Sequence, residues 1–440
     1  MLRERLSQGE RMNRKLLALL LASLMVFGFT TPYVAAGAPS AQQTGTSTDI
    51  VQAGVSGDDV ASSTDSPDES GSSVAPIDPA LQNADGWVDV VVRLEEAETS
   101  ASMSQDAVVS TLQQQARQTQ EPVINRAHEM EGVRYVNSFW ITNAVLLRVN
   151  TNEVDLDRFA RMDRVTQVHA NFDLTLPETE RSSAAGEDAS SDDYDTTYGL
   201  DQINATEVWD QYGTMGEGVS VAVLDTGVDP DHPDIQITQE HWAEFDSNGD
   251  EVPNSTIRDT DTHGTHTSGT VTGGNASGEY IGVAPEATLY HGLVIPGGGG
   301  SFAQVAGGMQ WAVNESVDVI SMSLGAGGYY TEMIEPSENA RDAGVILVAS
   351  SGNSGEGTSG SPGNVYPNIA VGASDENYDI ASFSSGEEID TSSAWGSAAP
   401  SYWPDNYTAP NVAAPGVAVK SSVPGGGYAE YDGTSMAAPH

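Results

Sequence analysis

Five polar side chains stand out because their neighbours are apolar or small. Asp225 ends the apolar run Val221-Ala222-Val223-Leu224 and is followed by Thr226-Gly227. That pattern puts a carboxylate at the carboxyl edge of a sheet, where α/β enzymes carry reactive groups; a strand-end Asp can equally cap a turn. His263 and His266 stand three apart in His263-Gly264-Thr265-His266-Thr267-Ser268-Gly269, a run that reads as entering a helix. Such spacing suits a metal pair, but no H-E-x-x-H motif is present and no third ligand stands nearby in sequence. Ser435 sits in Gly433-Thr434-Ser435-Met436-Ala437-Ala438. Small flanking residues allow close approach of a backbone, and a serine opening a helix meets amide dipoles that favour developing negative charge. Asn353 lies in the Gly/Ser-rich stretch 349–355, which by itself reads as a turn. A carboxylate, an imidazole and a hydroxyl are the parts of a relay that makes a serine nucleophilic.

The elements that must position these groups alternate in the manner of a parallel sheet with crossover helices. Buried strands are expected at 219–224, 288–293, 317–322, 345–349 and 369–373, and helices at 302–314 and 332–342. Before them, residues 77–176 read as a small α+β unit. It has strands at 87–94, 144–149 and 165–168, a helix at 104–129 that Pro122 interrupts or restarts, and a helix at 154–162. The segment 387–408 reads as an inserted loop containing Trp395, Trp403 and Tyr407.

Composition narrows the setting. The 440-residue chain carries 63 acidic and 17 basic residues, for a formal net charge of −46, and its lysines are Lys15 and Lys420. This excess repels itself in dilute buffer and is screened by salt. It fits a protein made for high salt; an ordinary acidic secreted protein is the alternative. A nucleic-acid backbone would be repelled. With no cysteine in the chain, disulfide and thiolate chemistry are excluded. Arg11, Arg14 and Lys15 precede the apolar run 16–29, and small residues at 35–38 offer a cleavage region, so residues 1–38 read as a Sec-type signal peptide. Residues 39–76 are polar and expected to be disordered, and residues 177–197 form an exposed acidic linker where maturation would fall.

The three polar motifs, in the order Asp, His, Ser, resemble those of the subtilisin-like serine proteases, and the acidity makes secreted proteases of halophilic archaea the nearest resemblance. The likeness spans Tyr198 to His440. It implies a subtilisin-like three-layer α/β fold with a mostly parallel central sheet and a preceding α+β propeptide domain at 77–176. It also implies a secreted endopeptidase acting on protein or peptide substrates through an acyl-enzyme. Asp225, His263 and Ser435 would form the triad, with His266 structural and Asn353 donating to the oxyanion. Gly298 and Gly299 on one side, and Ser323, Leu324 and Gly325 on the other, would pair with an extended substrate, while Ser351 and Gly352 would line the pocket before the cut. The propeptide would act as chaperone and inhibitor. The chemistry needs no cofactor. Structural calcium is common in the family, and Asp234 matches one ligand position, although the loop 273–278 departs from the usual form of that site. The given sequence carries only Met436–His440 after Ser435, so the chain as given is expected to fold poorly or lack activity where a longer form is active. An inactive subtilase-like binding or surface protein is the competing reading.

Overall fold

The structure, a computed structural model, describes residues 74–100, 102–177, 179–181, 189–190 and 194–440. The expected signal peptide, nearly all of the polar stretch 39–76 and much of the 177–197 linker lie outside the described residues.

The first described part is a four-stranded antiparallel sheet. Strands β1 (Trp87–Leu94), β2 (Val133–Phe139), β3 (Ala144–Asn150) and β4 (Val165–Ala170) are ordered β2-β3-β1-β4. Helix α1 (Gln105–Glu129) packs against β2 and β3, with Ser104 accepting the Ala107 N–H at its N-terminus. Pro122 does not interrupt α1 as expected. It and Gln118, whose carbonyl loses its usual donor, are both exposed, a position where the lost bond costs least. The expected helix at 154–162 shrinks to α2 (Asp157–Ala160). Residues 150–154 instead close a turn on the Asn150 carbonyl, and Leu156 at the helix start has no side-chain oxygen to cap it. Strand β5 (Asp173–Thr175) then leaves this unit.

The larger part is built on a seven-stranded parallel sheet. Its strands are β6 (Ser220–Asp225), β7 (Trp242–Glu244), β8 (Thr288–Leu293), β10 (Val319–Met322), β11 (Ile346–Ser350), β12 (Ile369–Ser374) and β13 (Val412–Pro415). Their spatial order is β7-β8-β6-β10-β11-β12-β13. Helices α3 (His263–Thr272), α4 (Phe302–Asn314) and α5 (Ile334–Asp342) cover the sheet, and β9 (Gly299–Ser301) precedes α4. A hairpin of β14 (Val419–Val423) and β15 (Gly427–Asp432) leads to the short helix α6 (Thr434–Ala437). This is the subtilisin-like α/β architecture with a parallel central sheet. The inserted segment pairs Glu387–Asp390 with Asn406–Ala409 and clusters Trp395, Trp403 and Tyr407 around Tyr366, so its aromatics are structural.

The two parts share one core. Phe139, Ile141 and Leu174 pack with Phe302, Val305 and Met309 in a single buried cluster. Helix α4 begins with a Ser301/Gln304 capping box, and its first amides are also taken by the carbonyl of Phe172 (2.8 Å) and by Asn171 Oδ1 (2.9 Å). Helix α5 receives Asn339 Nδ2 donating to the Ile141 carbonyl at 2.8 Å and a buried Arg93–Glu335 ion pair. Burial pushes the Glu335 carboxyl up; Arg93 pulls it down and Glu96 pushes it up again, leaving it near 7.

Residues 198–440 contain three cations, Arg258, Arg341 and Lys420, against 33 carboxylic side chains. All three are already paired, with Glu244, with Glu338 and Asp342, and with Glu279. The remaining carboxylates therefore repel without local neutralisation, and salt must supply the screening. The melting midpoint is expected to rise steeply from low salt to about 3 M NaCl. A calorimetric midpoint that does not move with salt would contradict this. At the joint between the two parts, Arg93→Leu leaves Glu335 as an uncompensated buried acid and is expected to destabilise by about 3–5 kcal/mol. The double change Arg93→Leu, Glu335→Leu should recover most of that loss in a chemical-denaturation series.

Candidate active site

The sheet explains why Asp225 and His263 meet. Asp225 is the last residue of β6, the middle strand of three whose carboxyl ends lie side by side, and it is fully buried. Helix α3 starts at His263 and packs on β6. Close approach is possible because Gly264 faces the Gly227 carbonyl; a Cβ there would lie 2.0 Å from that oxygen. The loop before α3 is tied down by Asp259, which accepts from Thr226 Oγ1 (2.8 Å), Thr265 N (2.8 Å) and Thr265 Oγ1 (2.6 Å).

His263 Nδ1 lies 2.8 Å and 3.0 Å from the two oxygens of Asp225. The carboxylate also accepts the Thr226 N–H at 2.7 Å, and Thr267 Oγ1 stands 3.2 Å away. A carboxylate only accepts, so Nδ1 carries the proton and Nε2 is left as the basic nitrogen. That Nε2 is buried and has no hydrogen-bond partner. Burial pushes the His263 imidazolium down, but the charge and hydrogen bond of Asp225, with Asp259 and Asp261 behind them, outweigh it, and the net shift is upward. Burial pushes the Asp225 carboxyl up; the charge and hydrogen bond of His263, with the Thr226 amide, outweigh it and hold it low.

Ser435 lies on α6, whose helix packs against α3. Its Oγ donates to the carbonyl of Ser323 at 3.4 Å rather than to His263. Ser323 Oγ in turn donates to the Ser435 carbonyl at 2.9 Å, so the serine is fixed to the end of β10. Asn353 Oδ1 accepts from Thr434 N (2.9 Å) and Thr434 Oγ1 (2.7 Å). A backbone amide can only donate, which fixes the orientation of the Asn353 amide and ties it to the residue before Ser435. Gly352 donates to Thr434 Oγ1 at 3.2 Å and has φ +107°, a value that favours glycine.

The expected substrate-binding segments already hold a strand, and it belongs to this chain. Thr175 and Gly325 exchange both backbone hydrogen bonds (2.9 and 2.8 Å), and β5 pairs antiparallel with β9 through Thr175–Gly299 and Leu174–Gly300. Leu176 N–H donates to the Gly298 carbonyl at 3.2 Å. Further along, Glu180–Arg181 pairs with Tyr431–Asp432, the residues leading into Ser435. The linker is thus not a free tether at its start. Its end is held too: Thr196 is buried, and Thr197 N–H donates to the Tyr280 carbonyl at 3.1 Å. Gly325 presents its backbone to β5, whereas Ser323 is buried and gives its carbonyl to Ser435 Oγ. Leu324 is buried in the core, and Ser351 is buried with its hydroxyl donated to the Ser385 carbonyl at 3.0 Å.

Asp234, matched in sequence to a calcium ligand position, is engaged by protein donors. Its carboxylate accepts from Ala276 N at 2.6 Å and from the Tyr428 hydroxyl, closing the loop 273–278 onto β15. Among the described residues no group of three His, Asp or Glu is arranged to hold an ion. His266 Nε2 faces the carbonyls of Val419 and Ala429, and burial pushes its imidazolium down to about 3. The motif reading overlooked Asp259, Thr265, Thr434 and His291. Asp259 stands four residues before His263 and was findable as a helix-start acid. His291 is a lone histidine in an apolar strand and gave no local signal.

The His263 ring should titrate above the ordinary 6.5, and lower than that in Asp225→Asn, where burial loses its main opposing charge and only Asp259 and Asp261 remain. Nitrogen-detected NMR of the ring in both proteins measures this, and equal midpoints would show that Asp225 does not control the imidazole.

Sequence comparison agrees with the geometry. The model of the subtilase family, Peptidase_S8, matches residues 216–440. Subtilisin E of Bacillus subtilis (strain 168) is 38% identical over 253 residues, covering 55% of this chain and 58% of the relative. Subtilisin of Bacillus pumilus is 37% identical over 253 residues, covering 80% of that protein, and Subtilisin Savinase of Lederbergia lenta is 36% identical over 246 residues, also covering 80%. The chain thus spans a little over half the length of relatives such as Subtilisin E. A buried Asp–His pair at the sheet's carboxyl edge, a serine at the start of a helix beside it and a family match over half the sequence lead to one conclusion: the chain belongs to the subtilase family.

Proposed function

We propose that this protein is a secreted serine endopeptidase that hydrolyses peptide bonds of protein or peptide substrates through an acyl-enzyme. The observation that carries the reading is the buried Asp225–His263 hydrogen bond, which leaves a basic Nε2 unpaired, next to the helix bearing Ser435. In the reaction, Ser435 Oγ leaves the Ser323 carbonyl and turns to His263 Nε2. The imidazole accepts its proton while Oγ attacks the scissile carbonyl carbon, and Asp225 stabilises the imidazolium. The Asn353 amide, held by Thr434, donates to the oxyanion. The proton on Nε2 then passes to the leaving amine, and water repeats the sequence in reverse to release the acid product. No step needs a metal or cofactor.

The groove chemistry supports an extended peptide as substrate. Strands flanking 173–176 offer paired backbone groups, the means by which a sheet edge recognises any extended chain. In this reading residues 77–176 are a propeptide that blocks the groove with β5 and acts as folding partner through the shared core. The maturation cut falls in the 177–197 linker, which follows β5. Export rests on the N-terminal basic and apolar run. Among the described residues no helix is long and apolar enough to cross a membrane. The uncompensated acidity supports a high-salt setting.

Casein or a fluorogenic peptide in about 3 M salt should be cleaved by the full-length protein, with activity abolished in Ser435→Ala. Asn353→Ala should lower kcat by about 10²–10³, the magnitude known for removing this donor from a subtilisin itself. Hydrolysis that survives Ser435→Ala would refute the proposal. Because the His263 midpoint is raised, kcat should fall as pH drops through a value above 6.5, where the imidazole gains its proton and can no longer act as a base.

A further inference from the structure

His291 is a fully buried histidine that the proposed chemistry does not use. It lies on β8, next to β6, and its ring reaches past the strand end toward the Asp225 turn. Its Nε2 accepts the Gly227 N–H at 3.1 Å. An amide can only donate, so Nε2 is unprotonated, the ring proton is on Nδ1, and it is donated to Ser268 Oγ at 3.0 Å. Ser268 belongs to α3, the helix that carries His263. One imidazole therefore joins the turn after Asp225 to the helix of His263.

We propose that His291 is a positioning residue that holds the Asp225 turn and the His263 helix in register for proton transfer. The inference rests on the reading of Asp225, His263 and Ser435 as the catalytic groups. The Gly227 peptide joins the two elements. Its N–H is held by His291, while its carbonyl is pressed against Gly264. Gly227 has φ +111°, and a Cβ there would meet the Arg258 carbonyl at 2.1 Å, so no other residue fits this turn. Thr226 Oγ1, one residue earlier, accepts the Gly264 N–H at 2.9 Å. A tilt of this peptide moves the Asp225 carboxylate and the start of α3 together. A loss of alignment near 1 Å is enough to cost about 10²-fold in rate.

The ring is held on its other face by Trp242, stacked at 5.9 Å and 20°. Burial keeps the imidazole neutral, with its pKa down near 4, although the Asp225 charge pulls it up. A neutral ring is required for the role. An imidazolium would lose the acceptor for Gly227 and compete with His263 for Asp225. His266 is not equivalent, since its bonds go to the β14–β15 hairpin.

The test uses the full-length protein and the variants His291→Leu, His291→Gln and Ser268→Ala, with kcat and KM measured per site titrated by a fluorophosphonate. Titration removes any effect of misfolded molecules, which a purely structural role would produce. The Leu variant should lose at least about tenfold in kcat with KM within about twofold of wild type. The Gln variant, whose amide can accept from Gly227 and donate to Ser268, should stay within about threefold of wild type. Ser268→Ala should lose about threefold in kcat, which carries the test if the Leu variant does not fold. Wild-type kcat per titrated site in Leu or in Ser268→Ala, or no rescue by Gln, would overturn the inference while leaving the proposed activity standing. A wild-type protein that cleaves nothing would overturn the activity instead.

Discussion

The Asp225 carboxylate is fully buried, and the arrangement of the site is built around that constraint. A charge buried this deeply is stable only when paired and hydrogen-bonded. It meets His263 Nδ1, the Thr226 amide and the Thr267 hydroxyl, and His291 adds a neutral dipole behind the turn. The pair fixes the imidazole tautomer, raises its basicity and leaves Nε2 without a partner, on a helix that packs against α6. Maintaining the pair needs α3 to start against the Gly227 turn, and that contact in turn demands glycine at 227 and 264.

Charge is handled differently in the two parts of the molecule. Residues 198–440 spend each of their three cations on a local acid, leaving none to bind the N-terminal unit. The joint is served instead from the other side, by Arg93 of the N-terminal sheet, which meets Glu335 in the interior. Buried pairs of this kind are little screened by salt, whereas the surface carboxylates are screened strongly. High salt therefore relaxes the repulsion on the outside without dissolving the contact within.

The backbone edges of β9 and Gly325 are taken up by this chain's own β5. β5 enters between β9 and Gly325 with regular antiparallel pairing, and Leu174 fills a buried position in the shared core. Main-chain pairing carries little side-chain selectivity, which is why the same edges serve both a covering segment and, in the proposed function, a substrate.

Much of this was legible in the sequence. Strand and helix positions of the parallel sheet were set by runs such as Val221–Leu224 and Val319–Met322, whose apolar content allows only a strand covered on both faces. The motif residues were visible because small neighbours and strand-end acids are local signals. Pro122 misled, because whether a proline stops a helix depends on where the lost carbonyl faces, and here it faces water. What residue order determined by itself was the class of chemistry and the scaffold that presents it, since both rest on short-range patterns of apolar, small and polar residues. Only the tertiary structure decided which distant groups touch. The union of Asp225 with His263, the seating of β5 in the cleft, the Arg93–Glu335 bond and the double grip of His291 all join segments far apart in the chain, where no periodicity records the contact and only the packing of the sheet and helices brings the atoms within hydrogen-bond reach.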